Sequence, residues 1–177
     1  MECCRCTENG SEKLRVTLSF ARGQLLYDIR NYAYVESHIM DDGTEEAKHT
    51  VADVGEEGNV DRVTRVLDLG VSMCREMLYP FSKREIERTA YDDQLKERAQ
   101  YVIVMEVPAN FSQTTLTLLE RLIHEYLVCR GVADWLSITN PEKGDTWLAK
   151  AAEAESEIRV AVHSRLTRTR IAQHWLG

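Results

Sequence analysis

The first regular pattern along the chain is an alternation of apolar and polar residues over 14–20. A period of two is typical of a half-buried β-strand, because successive side chains of a strand point to opposite faces. A second strand is predicted over 101–107, where the residues are almost continuously apolar and rich in β-branched side chains. Such a run favours a strand that is buried on both faces.

Apolar residues recur with helical spacing in four longer segments, which are about 22–40, 59–79, 112–130 and 145–174. Steps of three and four residues place apolar side chains on one face of a helix. Capping residues predict three helix starts, at Asn59, Ser112 and Asp145. Two helix ends are predicted by residues that stop a helix, namely Pro80 and Gly131.

The remaining segments have weaker patterns. A short polar helix is predicted over 83–98, because Ser82 and Glu85 match a capping box. The segment 41–58 combines acidic residues with glycines, and we expect it to be a loop. Residues 1–12 are polar without a period, which predicts a flexible N-terminal tail.

These segments together predict an α+β fold that is mainly α. The four main helices are expected to form a bundle with a small sheet from 14–20 and 101–107. The chain has 177 residues, which is within the usual range for one domain. We therefore expect 13–177 to fold as a single domain with an acidic loop at 41–58.

The composition and the first residues of the chain indicate the cellular compartment in which we expect the protein. No stretch approaches the roughly 20 consecutive apolar residues that span a bilayer, and the first residues lack the apolar core of a signal peptide. The five cysteines are odd in number and are not spaced as a disulfide framework, which fits a reducing compartment. We expect a cytoplasmic protein without membrane contact, in which Cys74 and Cys129 are buried inside helices.

Charge is distributed unevenly. The segment 41–58 holds seven acidic residues against Lys48 alone, so it carries −6 of the total charge of −7. The last predicted helix has glutamates in its first half and arginines in its second half. This order suits the helix dipole, and Glu155 and Arg159 have the spacing of a one-turn ion pair.

We expect association to occur through these charges. The last helix can pair antiparallel with a copy of itself, or its arginines can meet the acidic loop of a neighbour. The predicted interaction residues are Arg159, Arg165, Arg168, Arg170, Asp41, Asp42, Glu45 and Glu46. Screening acts over about 10 Å at 0.1 M salt, so such association should weaken as salt rises. Nucleic acid is disfavoured as a partner, because the chain is net negative and no binding motif flanks the arginines.

Chemical motifs are sparse. Cys3, Cys4 and Cys6 are three soft ligands, but no second pair supplies the other half of a zinc site. Glu120 and His124 are one turn apart, yet the repeated motif of a di-iron bundle is absent. The acidic loop has only fragments of a calcium loop, and the glycine-rich phosphate-binding and nucleophile motifs are absent. We therefore predict no cofactor and no metal.

The sequence thus favours a non-enzymatic interaction or assembly module that binds itself or another protein. One alternative is a structural protein of phage particles, because a small helical domain with an acidic loop is compatible with ring-forming head–tail adaptors. Another is an enzyme or small-ligand-binding domain with a pocket between helices. The first residues to inspect for such a pocket are Tyr27, Tyr34, His38, Glu120 and His124.

Overall fold

The structure, a computed structural model, describes residues 13–39, 44–83 and 94–163. The described part is mainly helical and has one small antiparallel sheet, so the prediction of an α+β, mainly α fold is confirmed. The elements in chain order are β1 (Lys13–Ala21), α1 (Arg22–Ile39), α2 (Glu45–Ala52), a 3-10 turn (Asp53–Gly55), α3 (Glu57–Met77), α4 (Tyr79–Ser82), β2 (Gln100–Pro108), α5 (Gln113–Thr139) and α6 (Pro141–His163). No helix in these ranges has the length and apolar character needed to cross a membrane.

The two strands pair with each other, in a register that sets Lys13 opposite Pro108 and Ala21 opposite Gln100. In β2 the buried residues alternate with partly buried ones. The buried positions of β2 are Tyr101, Ile103, Met105 and Val107. The expectation that this strand is buried on both faces is therefore wrong. Only the inner face of the sheet joins the apolar core, so the outer face stays partly open to solvent.

Helix α5 lies at the centre of the described part, with α1, α3 and α6 packed against it. Twelve of its residues are buried, which makes it apolar on most of its circumference rather than along one stripe. The predicted stop at Gly131 is wrong, because the helix continues to Thr139. A Cβ atom at Gly131 would lie 2.5 Å from Cδ1 of Ile29. This glycine therefore allows α1 to approach α5 closely.

The connection between α5 and α6 is shorter than predicted. Helix α6 begins at Pro141, and the side-chain oxygen of Asn140 accepts a hydrogen bond from the amide of Lys143 at 3.4 Å. Proline suits the first helical position because its missing amide proton would have no partner there. Asp145 is thus inside the helix and is not its cap. Helix α6 is described to His163, so the predicted end near 174 lies outside the described residues.

The acidic segment, residues 41–58, was predicted to be a loop but contains helix α2 and a 3-10 turn. Thr44 caps α2 by accepting a hydrogen bond from the amide of Ala47 at 3.2 Å. Val51 and Val54 are buried and anchor α2 and the 3-10 turn to the core. The loop prediction is therefore wrong for Glu45–Gly55, because two apolar anchors outweigh the acidic composition. Residues 40–43 lie outside the described ranges.

Helix α3 begins at Glu57, two residues before the predicted cap. The side-chain amide of Asn59 instead donates to the carbonyl oxygen of Asp53 at 2.8 Å. The helix ends at Met77, and Pro80 lies in the first turn of α4. Residues 94–98 have no regular structure, so the end of the predicted helix at 83–98 is wrong. The predicted tail at 1–12 and residues 84–93 lie outside the described ranges.

Candidate functional site

The solvent-facing side of α1 carries a row of exposed side chains, which we call the α1 stripe. Its members are Tyr27, Asn31, Tyr34, Val35, His38 and Ile39. Leu25, Ile29 and Ala33 are buried on the opposite side of the helix. At 3.6 residues per turn these two sets lie on opposite faces, so the stripe points away from the core.

The α1 stripe combines two tyrosines and two aliphatic side chains with the polar Asn31 and His38. Tyr27 is 64% exposed, Tyr34 56%, Ile39 57% and Val35 43%. None of these six side chains carries a carboxylate, an ammonium or a guanidinium group, and the exposed Arg30 borders them one turn before Tyr34. Aromatic residues are enriched and charged residues are depleted at the centres of protein interfaces. The composition of the stripe is therefore that of an interface centre.

One half of the stripe is held in place by local contacts. The rings of Tyr34 and His38 lie 4.1 Å apart between centroids. Nδ1 of His38 lies 2.9 Å from the carbonyl oxygen of Tyr34, which identifies Nδ1 as the protonated nitrogen of the neutral ring. The hydroxyl of the buried Ser37 donates to the same carbonyl at 2.7 Å. Rotamers that are already fixed lose less entropy on binding, which favours association.

The inner side of α1 is tied to α5 by a polar contact. Oδ2 of Asp28 lies 2.8 Å from Nε2 of His124. These two residues are 96 positions apart, so no local pattern could have paired them.

Further contacts tie α1 to α6. Oε1 of Glu36 accepts a hydrogen bond from Nε1 of Trp147 at 3.0 Å, and its Oε2 lies 3.4 Å from Nζ of Lys143. Helix α1 is thus attached to both α5 and α6. The stripe therefore lies on a rigid element, which keeps its side chains in fixed relative positions.

Two of the charged residues that we predicted for interaction, Arg159 and Glu45, have partners within their own helices. Arg159 contacts Glu155 at 2.8 Å within α6, which confirms the predicted one-turn pair. Glu45 lies 3.6 Å from Nζ of Lys48, and Glu46 is exposed in the first turn of α2. The predicted contact between the acidic segment and the arginines stays a prediction. The other predicted residues, which lie outside the described ranges, are Asp41, Asp42, Arg165, Arg168 and Arg170.

The five residues proposed for a pocket are distributed over three different environments. Tyr27, Tyr34 and His38 belong to the α1 stripe, whereas His124 is part-buried at the contact between α1 and α5. Glu120 is exposed on α5. The spacing of Tyr27, Tyr34 and His38, opposite the apolar face of the helix, was the signal that could have identified them as an outward stripe.

Both described cysteines are buried inside helices, as predicted. Burial raises the pKa of the Cys74 thiol to about 12, and the nearby Glu155 adds to this. Burial and Glu125 raise the pKa of the Cys129 thiol to about 12 as well. Thiolate is the nucleophilic form of cysteine, so neither residue is suited to nucleophilic chemistry at neutral pH.

We expect both thiols to react slowly with iodoacetamide while the protein is folded, and rapidly in urea. The measurement uses a variant in which Cys3, Cys4 and Cys6 are replaced by serine, and peptide mass spectrometry locates the label. The free energy of unfolding should also fall from about pH 9 toward pH 12. The unfolded chain releases these protons near 9.0, whereas the folded chain holds them to about 12. Rapid labelling of the folded protein at neutral pH would contradict this prediction.

Within residues 13–39, 44–83 and 94–163, no group of three or more His, Cys, Asp or Glu side chains is placed to hold a metal ion. Comparison with known proteins gives no further assignment. No protein-family model, no curated protein and no solved structure matches the chain.

Proposed function

We propose that this protein is a non-enzymatic assembly module that associates with copies of itself through the α1 stripe. The observation that carries the proposal is the row of exposed aromatic and apolar side chains on one face of a helix whose other face is fixed. Association removes such a surface from water, which is favourable. Tyrosines in well-packed interface centres often carry much of the binding energy.

The charge of the protein favours this surface over other faces. Each copy has a net charge of −7, so two copies repel each other on average. The α1 stripe has no carboxylate, so contact through it places no acidic side chains of the two stripes directly against each other.

A charge-driven contact between the acidic segment and the end of α6 is a second mode of self-association. Arg159 and Glu45 already have partners within their own helices, which makes this mode weaker. Salt separates the two modes. Apolar association should be unchanged or strengthened by salt, whereas a contact between charges should weaken. The head–tail-adaptor and ligand-pocket alternatives stay predictions.

We expect the wild-type protein to dimerise as its concentration rises, as measured by sedimentation velocity. Tyr34→Glu should raise the dissociation constant of the dimer at least about tenfold, because it places a charge in the contact. The matched control is Tyr79→Glu on α4. Tyr79 is 57% exposed and Tyr34 is 56% exposed, but only Tyr34 belongs to the stripe. Tyr79→Glu should therefore dimerise like the wild type.

Circular dichroism of each variant verifies that the helices remain folded. A wild-type protein that stays monomeric at all concentrations would overturn the proposal. Equal weakening by Tyr34→Glu and Tyr79→Glu would show that the α1 stripe is not the contact. Dimers that dissociate with rising salt would favour the charged mode instead.

A further inference from the structure

We infer that helix α2 and the 3-10 turn after it, residues 44–55, form a strap that opens as a unit while the other described helices stay folded. We call this segment the α2 strap. In its closed state it covers the indole of Trp135 on α5, and in its open state it exposes that indole to water. The strap is thus a regulatory device that controls access to this part of α5. Its opening does not depend on whether the protein self-associates.

The α2 strap has little buried surface of its own. Val51 and Val54 are its two buried residues, whereas six of its twelve residues are exposed. Helix α5, by comparison, has twelve buried residues. Helix α2 has eight residues, and helices shorter than about 12–15 residues are marginal in water by themselves. The strap therefore depends on its two valines and on its attachments to the neighbouring helices.

The attachments of the α2 strap are made by side chains of other helices. Among the described residues, three such side chains donate hydrogen bonds to carbonyl oxygens of the strap, one each from α1, α3 and α5. The donor and acceptor pairs are Arg30 with Gly55, Asn59 with Asp53 at 2.8 Å, and Trp135 with Val51 at 2.8 Å. The first two bonds are exposed, so water can replace them with little net loss of stability. Because every donor is a side chain, opening breaks no backbone hydrogen bond within α1, α3 or α5.

The charge of the α2 strap favours opening. The strap carries Glu45, Glu46 and Asp53 against Lys48, and all three acidic residues are exposed. Asp53 comes directly after the last turn of α2, where the negative end of the helix dipole disfavours a carboxylate. Two further glutamates follow at the start of α3. Like charges confined to a short segment repel each other, and the open segment holds them farther apart.

The helices that the strap covers are held together by contacts of their own. Asp28 on α1 is bonded to His124 on α5, and Glu36 on α1 accepts a hydrogen bond from Trp147 on α6. Helix α5 is also packed against α3 and α6. None of these contacts involves residues 44–55, so the bundle keeps them when the strap opens.

Opening changes the surroundings of the Trp135 side chain in particular. Trp135 is 4% exposed, and its Nε1 donates to the carbonyl oxygen of Val51 in a buried hydrogen bond. Its backbone amide, by contrast, lies inside α5, which stays folded in the open state. The indole N–H therefore exchanges with solvent when the strap opens, whereas the backbone amide of the same residue exchanges when α5 unfolds.

Native-state hydrogen exchange followed by NMR tests this difference. We expect the indole N–H of Trp135 and the hydrogen-bonded amides of α2 to be protected to a similar extent. Both should be protected at least about 100-fold less than the backbone amide of Trp135. Low urea should speed exchange of that backbone amide alone, because opening of the strap exposes little surface and unfolding exposes much. Trp135→Phe identifies the indole signal.

Two valine truncations separate opening of the strap from unfolding of the whole domain. Val51 and Val107 are each 1% exposed, but Val107 lies on β2 and stays buried when the strap opens. Val107→Ala should therefore speed exchange of the Trp135 backbone amide at least about tenfold and leave exchange of the Trp135 indole unchanged. Val51→Ala should speed both at least about tenfold, because the side chain at this position is released in both events.

Three outcomes would overturn the inference. An indole N–H of Trp135 that exchanges as slowly as its backbone amide would show that the strap opens only with the whole domain. Equal acceleration of both protons by Val107→Ala would show the same. Rapid exchange of the α2 amides together with slow exchange of the indole would show that α2 frays without releasing Trp135. The wild-type comparison needs neither valine variant, so a variant that does not fold leaves the test intact.

Discussion

Trp135→Ala is expected to lower the free energy of unfolding by about 3–5 kcal/mol. Trp135 lies on α5 and is only 4% exposed, so its removal leaves a large cavity in the core. Its Nε1 donates to the carbonyl oxygen of Val51 at 2.8 Å, which joins α5 to α2 across 84 residues of sequence. The substitution also leaves this buried carbonyl without its partner, which adds to the loss.

Urea denaturation followed by circular dichroism measures this effect. Trp135→Phe separates the two contributions, because it keeps an aromatic ring in the core but loses the hydrogen-bond donor. We expect it to cost less than the alanine variant, about 1–3 kcal/mol. The control is Leu148→Ala on α6, which is 47% exposed and should change stability by less than about 0.5 kcal/mol. A loss below about 1 kcal/mol for Trp135→Ala would show that this residue does not anchor α2.

Gly131→Ala is the second substitution with a large expected effect, a loss of about 1–3 kcal/mol from overpacking. The new Cβ would lie 2.5 Å from Cδ1 of Ile29 and 3.1 Å from its Cγ1. Ile29→Val removes the Cδ1 atom and by itself should cost about 0.5–1.5 kcal/mol. The double variant should lose less than the sum of the two single losses, because the shorter side chain makes room for the methyl group.

The double-mutant cycle isolates this coupling, which we expect at about 0.5–3 kcal/mol. Gly58→Ala is the matched glycine control, because a Cβ at that helical position meets nothing within 4 Å. It should be neutral or stabilising by up to about 1 kcal/mol, since alanine is the better helix former. Strictly additive losses at Gly131 and Ile29 would show that the helices do not meet at this point.

The same glycine illustrates what local sequence can and cannot establish. The alternation over 14–20 and the helical spacing of α3 depend on nearby residues, and both elements were predicted. Gly131 was read as a helix stop, which is its commonest role after an apolar helical run. Its actual role depends on Ile29, which is 102 positions earlier in the chain. A glycine that stops a helix and one that admits a neighbouring helix look alike in sequence.

The prediction of a loop over 41–58 was wrong for a related reason. Val51 and Val54 are the residues that bury its structure, and two apolar positions among many carboxylates give too weak a period to be recognised. For the α1 stripe, by contrast, the sequence contained the necessary information. Tyr34 and His38 are four residues apart and were selected, but their assignment to a pocket ignored which face of α1 the apolar residues occupy.

The pairing of β1 with β2 delays the completion of the sheet during synthesis of the chain on the ribosome. Ala21 pairs with Gln100, which is 79 residues further along, whereas α5 and α6 meet across Asn140. At the usual synthesis rates of about 5–20 residues per second, β1 waits on the order of 4–16 seconds for its partner. During this interval its apolar side chains lie on an unpaired strand, which invites pairing with other nascent chains. Lys13 and Arg15 place positive charges on this strand, and like charges on neighbouring nascent chains oppose such pairing before the protein has folded.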